Sequence, residues 1–273
     1  MSSAVSTQSE NPSFVEFVMG TAVSVDIRGD MPPRAVAEVV EWLHHVDDVF
    51  SPYKPESPIS AIGRGELSFN DASDEVREVL RLCERASAET NGAFNAFQVP
   101  APNGTRFDPC GLVKGWSIER AAYILEAHGC TNFCVNAGGD VALRGRPTPT
   151  THWRIGIRHP ELADALAFVV EAQGRLAIAT SATYERGAHI IDPTTGCPVT
   201  EVASATIIGP DLTNADVYAT AAFVMGLDAL DWIEAIDGYE LFLITHDDTT
   251  LWSPGFSRYR APDVSSWRGC HEH

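Results

Sequence analysis

Asp216 and Thr220 stand one helical turn apart in the stretch NADVYATAAFVMG, residues 214–226. The i, i+4 spacing puts a carboxylate and a hydroxyl on one face of a helix, near its N-terminus. The rest of that helix is apolar on nearly every side, which predicts burial, and a buried carboxylate is costly unless it is paired or bound to a cation. Two hard oxygen donors at this spacing suit Mg²⁺, which takes few protein ligands and completes its octahedron with water and phosphate oxygens. A plainer reading fits the same residues: Asn214 caps the helix and Asp216 complements its dipole.

A second candidate is FDPCGLVKGWSIER, residues 107–120. Gly111 and Gly115 predict a turn that carries Lys114 and feeds a helix whose apolar positions are Ile118, Ala121, Ala122 and Leu125, stopped by His128-Gly129. Backbone N–H groups in such a turn, with a lysine, suit a phosphate. The glycine count matches neither a P-loop nor a dinucleotide fingerprint, and a purely structural turn is the alternative. A third candidate is ATSATYERGAHIIDPTTGCPV, residues 179–199. Its hydroxyls, Arg186 and His189 have the chemistry to meet a phosphate or a polar ring, with His189 as a neutral base. The alternative there is a hairpin in which Asp192-Pro193 and Gly196 only make turns. Tyr53 follows a helix in SPYKPES and is either a stacking aromatic or a surface anchor. Cys270-His271-Glu272-His273 has the composition of a metal tract but reads as a solvated tail. Cys130 and Cys134 read as core thiols.

The elements that must position these residues follow from periodicity. Thr21–Ile27 alternates as a half-buried strand. Pro32-Pro33 opens a helix with Val36, Val39, Val40, Leu43, Val46 and Phe50 inward. Asp71 to Asn91 is a second amphipathic helix, with Val76, Val79, Leu80 and Cys83 inward and Asn91-Gly92 at its C-cap. Phe133–Val135 is a strand that breaks into Ala137-Gly138-Gly139-Asp140. Strands are predicted at Trp153–Arg158, Ala165–Glu171, Arg175–Thr180, His189–Asp192 and Ala203–Ile208. Helices follow at Asn214–Met225 and Asp228–Ile236, then a hairpin of Glu240–Thr245 and Thr250–Trp252 around Asp247-Asp248. Strands and helices mix without strict βαβ alternation, so the expected class is α+β, with mixed sheets and packed helices. The expected organisation is a polar tail (1–12), one compact domain (13–260) and a C-terminal tail (261–273).

Composition narrows the function classes. Of 273 residues, 44% are hydrophobic, enough for a sizeable core, and the formal net charge is −18. Such a surface repels nucleic acid and anionic membranes. No apolar run reaches membrane-spanning length. The first residues, MSSAVSTQSENPS, have neither a basic nor an apolar signal region, and six scattered cysteines form no CxxC pair. Both point to a reducing compartment, and the expected location is the cytoplasm.

Taken in order, the segments MGT (19–21), SPYKPES (51–57), NGAFNAF (91–97), FDPCGLVKGWSIER, VNAGGD (135–140), ATSATYERGAHIIDPTTGCPV and ADVYATAAFVMG resemble the FAD:protein FMN transferase (ApbE) family from about Phe14 to Trp252. The resemblance implies an α+β fold and Mg²⁺-assisted splitting of FAD. FMN is then joined through its phosphate to a threonine or serine of an acceptor flavoprotein, and AMP is released. It implies Asp216 and Thr220 as side-chain Mg²⁺ ligands and Gly111 as the main-chain oxygen that completes the site. Met19, Tyr53, Ala93, Phe94, Asn95, Asp108 and Lys114 correspond to FAD contacts, and His189 and Ile191 to the flavin side. The chain departs from the family pattern at Asn95, where an aspartate is usual, at Cys110, usually glycine or serine, and at Ala182, usually glycine. The acceptor hydroxyl needs a base, for which His189 or an aspartate near the metal stands as the candidate. Two alternatives stand beside it: an FAD pyrophosphatase producing FMN and AMP, an activity the resemblance also allows, and a non-catalytic flavin-binding protein.

Overall fold

A computed structural model describes residues 13–97, 107–162, 164–182 and 199–262. Ten strands and six α-helices are assigned among them. The strands are β1 (Ser13–Val18), β2 (Thr21–Ile27), β3 (Phe133–Ala137), β4 (Asp140–Arg144), β5 (Trp153–Arg158), β6 (Leu166–Ala172), β7 (Leu176–Ala182), β8 (Val202–Gly209), β9 (Glu240–Thr245) and β10 (Thr250–Trp252). The helices are α1 (Pro33–Phe50), α2 (Pro58–Gly63), α3 (Asp74–Glu89), α4 (Cys110–Ala127), α5 (Leu212–Met225) and α6 (Ala229–Glu234).

Eight strands form one sheet in the order β1-β2-β3-β4-β7-β8-β9-β10, and β5 pairs with β6 in a separate hairpin. The α+β class is met. Within it, the sheets expected to be mixed are antiparallel in every described pair. Period-two alternation gives the large sheet two apolar faces. Val23, Val25, Ile27, Val135, Ala142, Ala177, Ala179, Ala205 and Ile207 turn to the core shared with α1, α3, α4 and α5. Val141, Leu143, Ile178, Ile208 and Phe242 turn to a second core, which β5 and β6 cover with Trp153, Ile157 and Val170. The small side chains on the helix side of β7 and β8 let α5 lie close to the sheet, and α5 meets them with Ala215, Ala219 and Ala222, all fully buried.

Two tight hairpins end next to each other. Val18 pairs with Thr21, so Met19-Gly20 forms a two-residue turn, and both residues have left-handed φ, 53° and 74°. Ala137 pairs with Asp140 across Gly138-Gly139, with φ of 62° and 106°. Such turns match the twist of the flanking strands. A Cβ on Gly138 would stand 2.9 Å from Thr21 Oγ1, which places the two tips in contact.

Three boundaries differ from the periodicity. The residues 111–115, expected as a turn, are the opening of α4, which begins at Cys110. The helix expected from Asp71 begins at Asp74 behind the Ser73 cap, with a short 3-10 turn at Phe69–Asp71 before it. Asn214 is not the cap of α5: Asp211 is, and its side chain accepts the Asn214 N–H at 3.0 Å. Asn214 instead donates to the Tyr239 hydroxyl at 3.2 Å. The strand expected at His189–Asp192 lies outside the described residues.

Candidate active site

The first turn of α4 is set by Asp108, whose Oδ1 accepts the Cys110 N–H at 2.9 Å. This carboxylate satisfies one of the orphan donors of a helix start. Asp108 N in turn donates to Ala96 O at 2.8 Å, tying α4 to the Ala93–Asn95 segment. Phe94 is buried there, and a Cβ on Gly111 would sit 3.3 Å from its ring. Asn95 turns its Oδ1 back to the Phe97 N–H at 2.9 Å.

Gly115 explains why the opening of α4 is rich in glycine. A Cβ there would meet Leu212 O at 2.5 Å and Asp216 Cβ at 2.6 Å. The glycine lets α4 and α5 touch backbone to backbone, and its N–H donates to Asp216 Oδ2 at 2.8 Å. That N–H is the one helical geometry aims at the carbonyl of Gly111. The contact overturns the reading in which Asp216 only complements the dipole of its own helix: its carboxylate reaches across to a second helix. It also corrects the anion-cradling turn, since these N–H groups belong to a helix and one of them is engaged by a carboxylate.

Asp216 and Thr220 do share one face of α5, as their spacing predicts. Thr220 Oγ1 lies 3.9 Å from the Cβ position of Gly111 and 3.2 Å from Ser181 Oγ on β7. Lys114 reaches toward the same place from α4. Its Nζ is 2.6 Å from Asp140 Oδ2 and 4.0 Å from Asp216 Oδ1. Asp140 opens β4, is 1% exposed, and accepts the Thr180 N–H on Oδ1 at 3.2 Å. Met19, at its hairpin tip, touches α4 through a weak Ser117 Oγ–Sδ contact of 3.8 Å. Ser117 is itself bonded to Lys114 O at 2.8 Å.

Gly111, Lys114, Asp216 and Thr220 are therefore brought together at the α4–α5 seam, with Phe94, Asp108 and Met19 on flanking turns. Tyr53 is 62% exposed on the loop after α1, close in sequence to Phe50, whose ring packs on Trp116 of α4 at 5.4 Å. His189 and Ile191 lie outside the described residues. Asp140 was not among the sequence candidates, whereas Ser181 stood among the hydroxyls of residues 179–199. The available sign for Asp140 was its position at the start of its strand, on the face turned to the helices.

One turn further along α4 lies a second ionic cluster. Glu119 pairs with Arg144 of β4 at 2.5 Å and with Arg175 at 3.0 Å. Glu126 pairs with the same two arginines at 2.9 and 2.7 Å. Glu119 Oε2 also accepts the N–H of Leu212, the first residue of α5, at 3.1 Å. Burial pushes the Glu119 carboxyl above the usual range, against the pull of Arg144. The cluster locks the starting point of α5, and so the height of Asp216, to α4 and β4.

The donor set at the seam fits a small hard cation. It offers a carboxylate and two hydroxyls, all oxygen, while no group of three or more His, Cys, Asp or Glu residues among those described forms a denser metal site. Few protein ligands and oxygen chemistry are what Mg²⁺ prefers.

The ApbE family model matches residues 19–101 and 98–243, most of the chain. This chain belongs to the ApbE family. Among curated ApbE relatives, the FAD:protein FMN transferase of Vibrio cholerae is 36% identical over 124 residues, covering 42% of this chain and 37% of that protein. The FAD:protein FMN transferase of Treponema pallidum is 31% identical over 178 residues, covering 57% and 49%. The chain thus matches between about a third and a half of the length of these relatives. Among solved ApbE structures, the flavin transferase from Vibrio cholerae superposes with a TM-score of 0.80 at 24% identity, over 92% of this chain and 99% of that one. The ApbE protein of Thermotoga maritima gives 0.80 and 24%, over 92% and 100%. Both likenesses speak to the fold, and the ApbE fold is the α+β arrangement described above.

Proposed function

We propose that this chain is a Mg²⁺-dependent FAD:protein FMN transferase. The observation that carries the reading is the meeting of Asp216, Thr220, Gly111 and Lys114 at one seam, in a chain of the ApbE family whose curated relatives bear that activity in their names. In the reaction, an acceptor threonine or serine oxygen bonds to the phosphorus of the FMN half. The bond from that phosphorus to the bridging oxygen breaks, AMP leaves with the bridging oxygen, and the hydroxyl proton passes to a base. Phosphoryl transfer asks the protein mainly for positioning and charge neutralisation.

The cation, when bound by Asp216, Thr220 and the Gly111 carbonyl, supplies electrostatic stabilisation of the charge that develops on the pyrophosphate. Lys114 contributes a positive charge toward the phosphate oxygens. Met19, Tyr53, Ala93, Phe94, Asn95 and Asp108 are assigned to the FAD contacts, with His189 and Ile191 on the flavin side. Gly115 and Glu119 hold the two helices at the spacing the site needs. No helix among the described residues is long and apolar enough to cross a membrane. Cys83, Cys130 and Cys134, among the described residues, are free thiols, which supports a reducing compartment such as the cytoplasm.

The test is incubation with FAD and Mg²⁺, with and without a threonine-bearing flavoprotein domain. The expected result is slow release of AMP alone and fast FAD consumption with the acceptor, which gains the mass and in-gel fluorescence of covalent FMN. Rapid turnover to free FMN and AMP with no labelling would mark a pyrophosphatase. Binding of FAD with no AMP in either arm would mark a flavin-binding protein.

A further inference from the structure

Thr90 closes the C-terminal end of α3, and its side chain is fully buried. Its Oγ1 donates to Ala86 O at 2.8 Å, one turn back, and accepts the Phe94 N–H at 3.1 Å, one turn ahead. Asn91 and Gly92 follow with left-handed φ of 52° and 84°, so the helix stops there. The Thr90 carbonyl is taken by Ala93 N at 3.0 Å, and the hydroxyl stands in for it toward Phe94. A hydroxyl has one proton and two lone pairs, so a single oxygen serves both turns.

Both sides of this clamp lead to the candidate site. Behind it, Glu89 Oε2 accepts the Tyr218 hydroxyl at 3.1 Å and Glu89 O accepts the Trp232 Nε1–H at 3.4 Å. These bonds fasten the end of α3 to α5, the helix that carries Asp216 and Thr220, and to α6. Ahead of it, Phe94 is 4% exposed and its ring backs the first turn of α4. A Cβ on Gly111 would stand 3.3 Å from Phe94 Cε2 and 3.9 Å from Thr220 Oγ1.

We propose that Thr90 is a positioning residue for flavin-nucleotide binding. Its hydroxyl clamps the Phe94 N–H and so holds the Ala93–Asn95 segment, with the Phe94 ring on Gly111, in the conformation that meets FAD. The inference rests on the assignment of that segment to FAD contacts under the proposed function. Its rival is that Thr90 only ends α3, in which case losing the hydroxyl costs stability alone.

FAD binding to the full chain with Mg²⁺, read from quenching of flavin fluorescence, separates the two when set beside melting curves. The proteins are the parent, Thr90→Val, Thr90→Ser and Ser73→Ala. Val keeps the shape of the side chain but leaves the Phe94 N–H without its acceptor, and Ser keeps the hydroxyl. Ser73→Ala weakens the same helix from its other end, where Ser73 Oγ accepts the Val76 N–H at 3.4 Å. Thr90→Val should weaken FAD binding about tenfold, the scale of a buried donor left unpaired. Thr90→Ser should stay within about twofold of the parent. Ser73→Ala should melt lower and bind FAD as the parent does. Parent-like binding by Thr90→Val, equal weakening in Thr90→Ser, or matching weakening in Ser73→Ala overturns the proposal. If Thr90→Val does not fold, Thr90→Cys, whose sulfur is a far weaker acceptor, takes its place with the same expectations. A parent that binds no FAD overturns the flavin reading and this inference together, whereas a binding parent with an indifferent Thr90→Val overturns this inference alone.

Discussion

Two ionic clusters lie along the same interface between α4 and β4, and they are built on opposite principles. In the Glu119–Glu126–Arg144–Arg175 cluster, two carboxylates face two guanidinium forks, with a backbone N–H taking one further lone pair. Charges balance and donors match acceptors, which is what a buried ion pair requires to be tolerated. At the seam, among the described residues, two carboxylates, Asp140 and Asp216, face the single ammonium of Lys114. A balanced cluster is finished, and adding a ligand to it gains nothing. The seam, beside the hydroxyls of Ser181 and Thr220, is where the proposed function puts a cation. Under the proposed function, the first cluster holds the fold and the second does the chemistry.

Variants can break this contrast. Glu119→Ala should have the largest effect, and on stability: it leaves Arg144 buried and half-paired and removes the partner of Leu212 N. The expected loss is about 3–5 kcal/mol, read as a fall of about 10 °C in melting temperature. A fall of only a degree or two would mean the balanced cluster contributes nothing. Asp216→Asn keeps an acceptor for the Gly115 N–H and should melt close to the parent, yet lose AMP release by about 10²- to 10³-fold. Equal loss of stability and activity would erase the distinction between the clusters. Gly115→Ala addresses the spacing both depend on: the added Cβ, 2.5 Å from a backbone oxygen, should cost about 1–3 kcal/mol in a denaturant titration and lower activity as well. A gentler probe is Ser181→Ala, which removes the 3.2 Å partner of Thr220. It should reduce Mg²⁺-dependent activity about threefold and leave the melting curve in place. A shift in melting without a change in rate would move Ser181 out of the site.

The sequence made some elements legible to the residue and hid others for identifiable reasons. Trp153–Arg158, Glu240–Thr245 and Thr250–Trp252 are strands with the expected ends. β1 escaped because Val15 and Phe17 are exposed, at 55% and 78%, opposite inward Val18 and Phe14, so apolar residues fall on both faces and the period disappears. β4 escaped for the reverse reason. Its inward positions include Asp140 and Arg144, buried to 1% and 3%, so charge stands where alternation looks for apolar side chains. The misread turn at residues 111–115 has the same origin: glycine was needed for contact with α5, a constraint no local pattern carries. Asp216 and Thr220 were legible because their spacing records a helix face. Asp140 was not, because it reaches the seam through strand pairing, which sequence distance does not reveal.

Met19 adds a consequence of another kind. Its φ of 53° lies in the left-handed region, which Gly or Asn occupies far more readily than a long side chain. The hairpin thus carries a local conformational debt of about 1 kcal/mol for the sake of a thioether beside Ser117. Selection for thermal robustness alone would replace Met19 with glycine. If Met19 contacts FAD as proposed, a chain under such selection and freed from that contact should lose this methionine before it loses the fold.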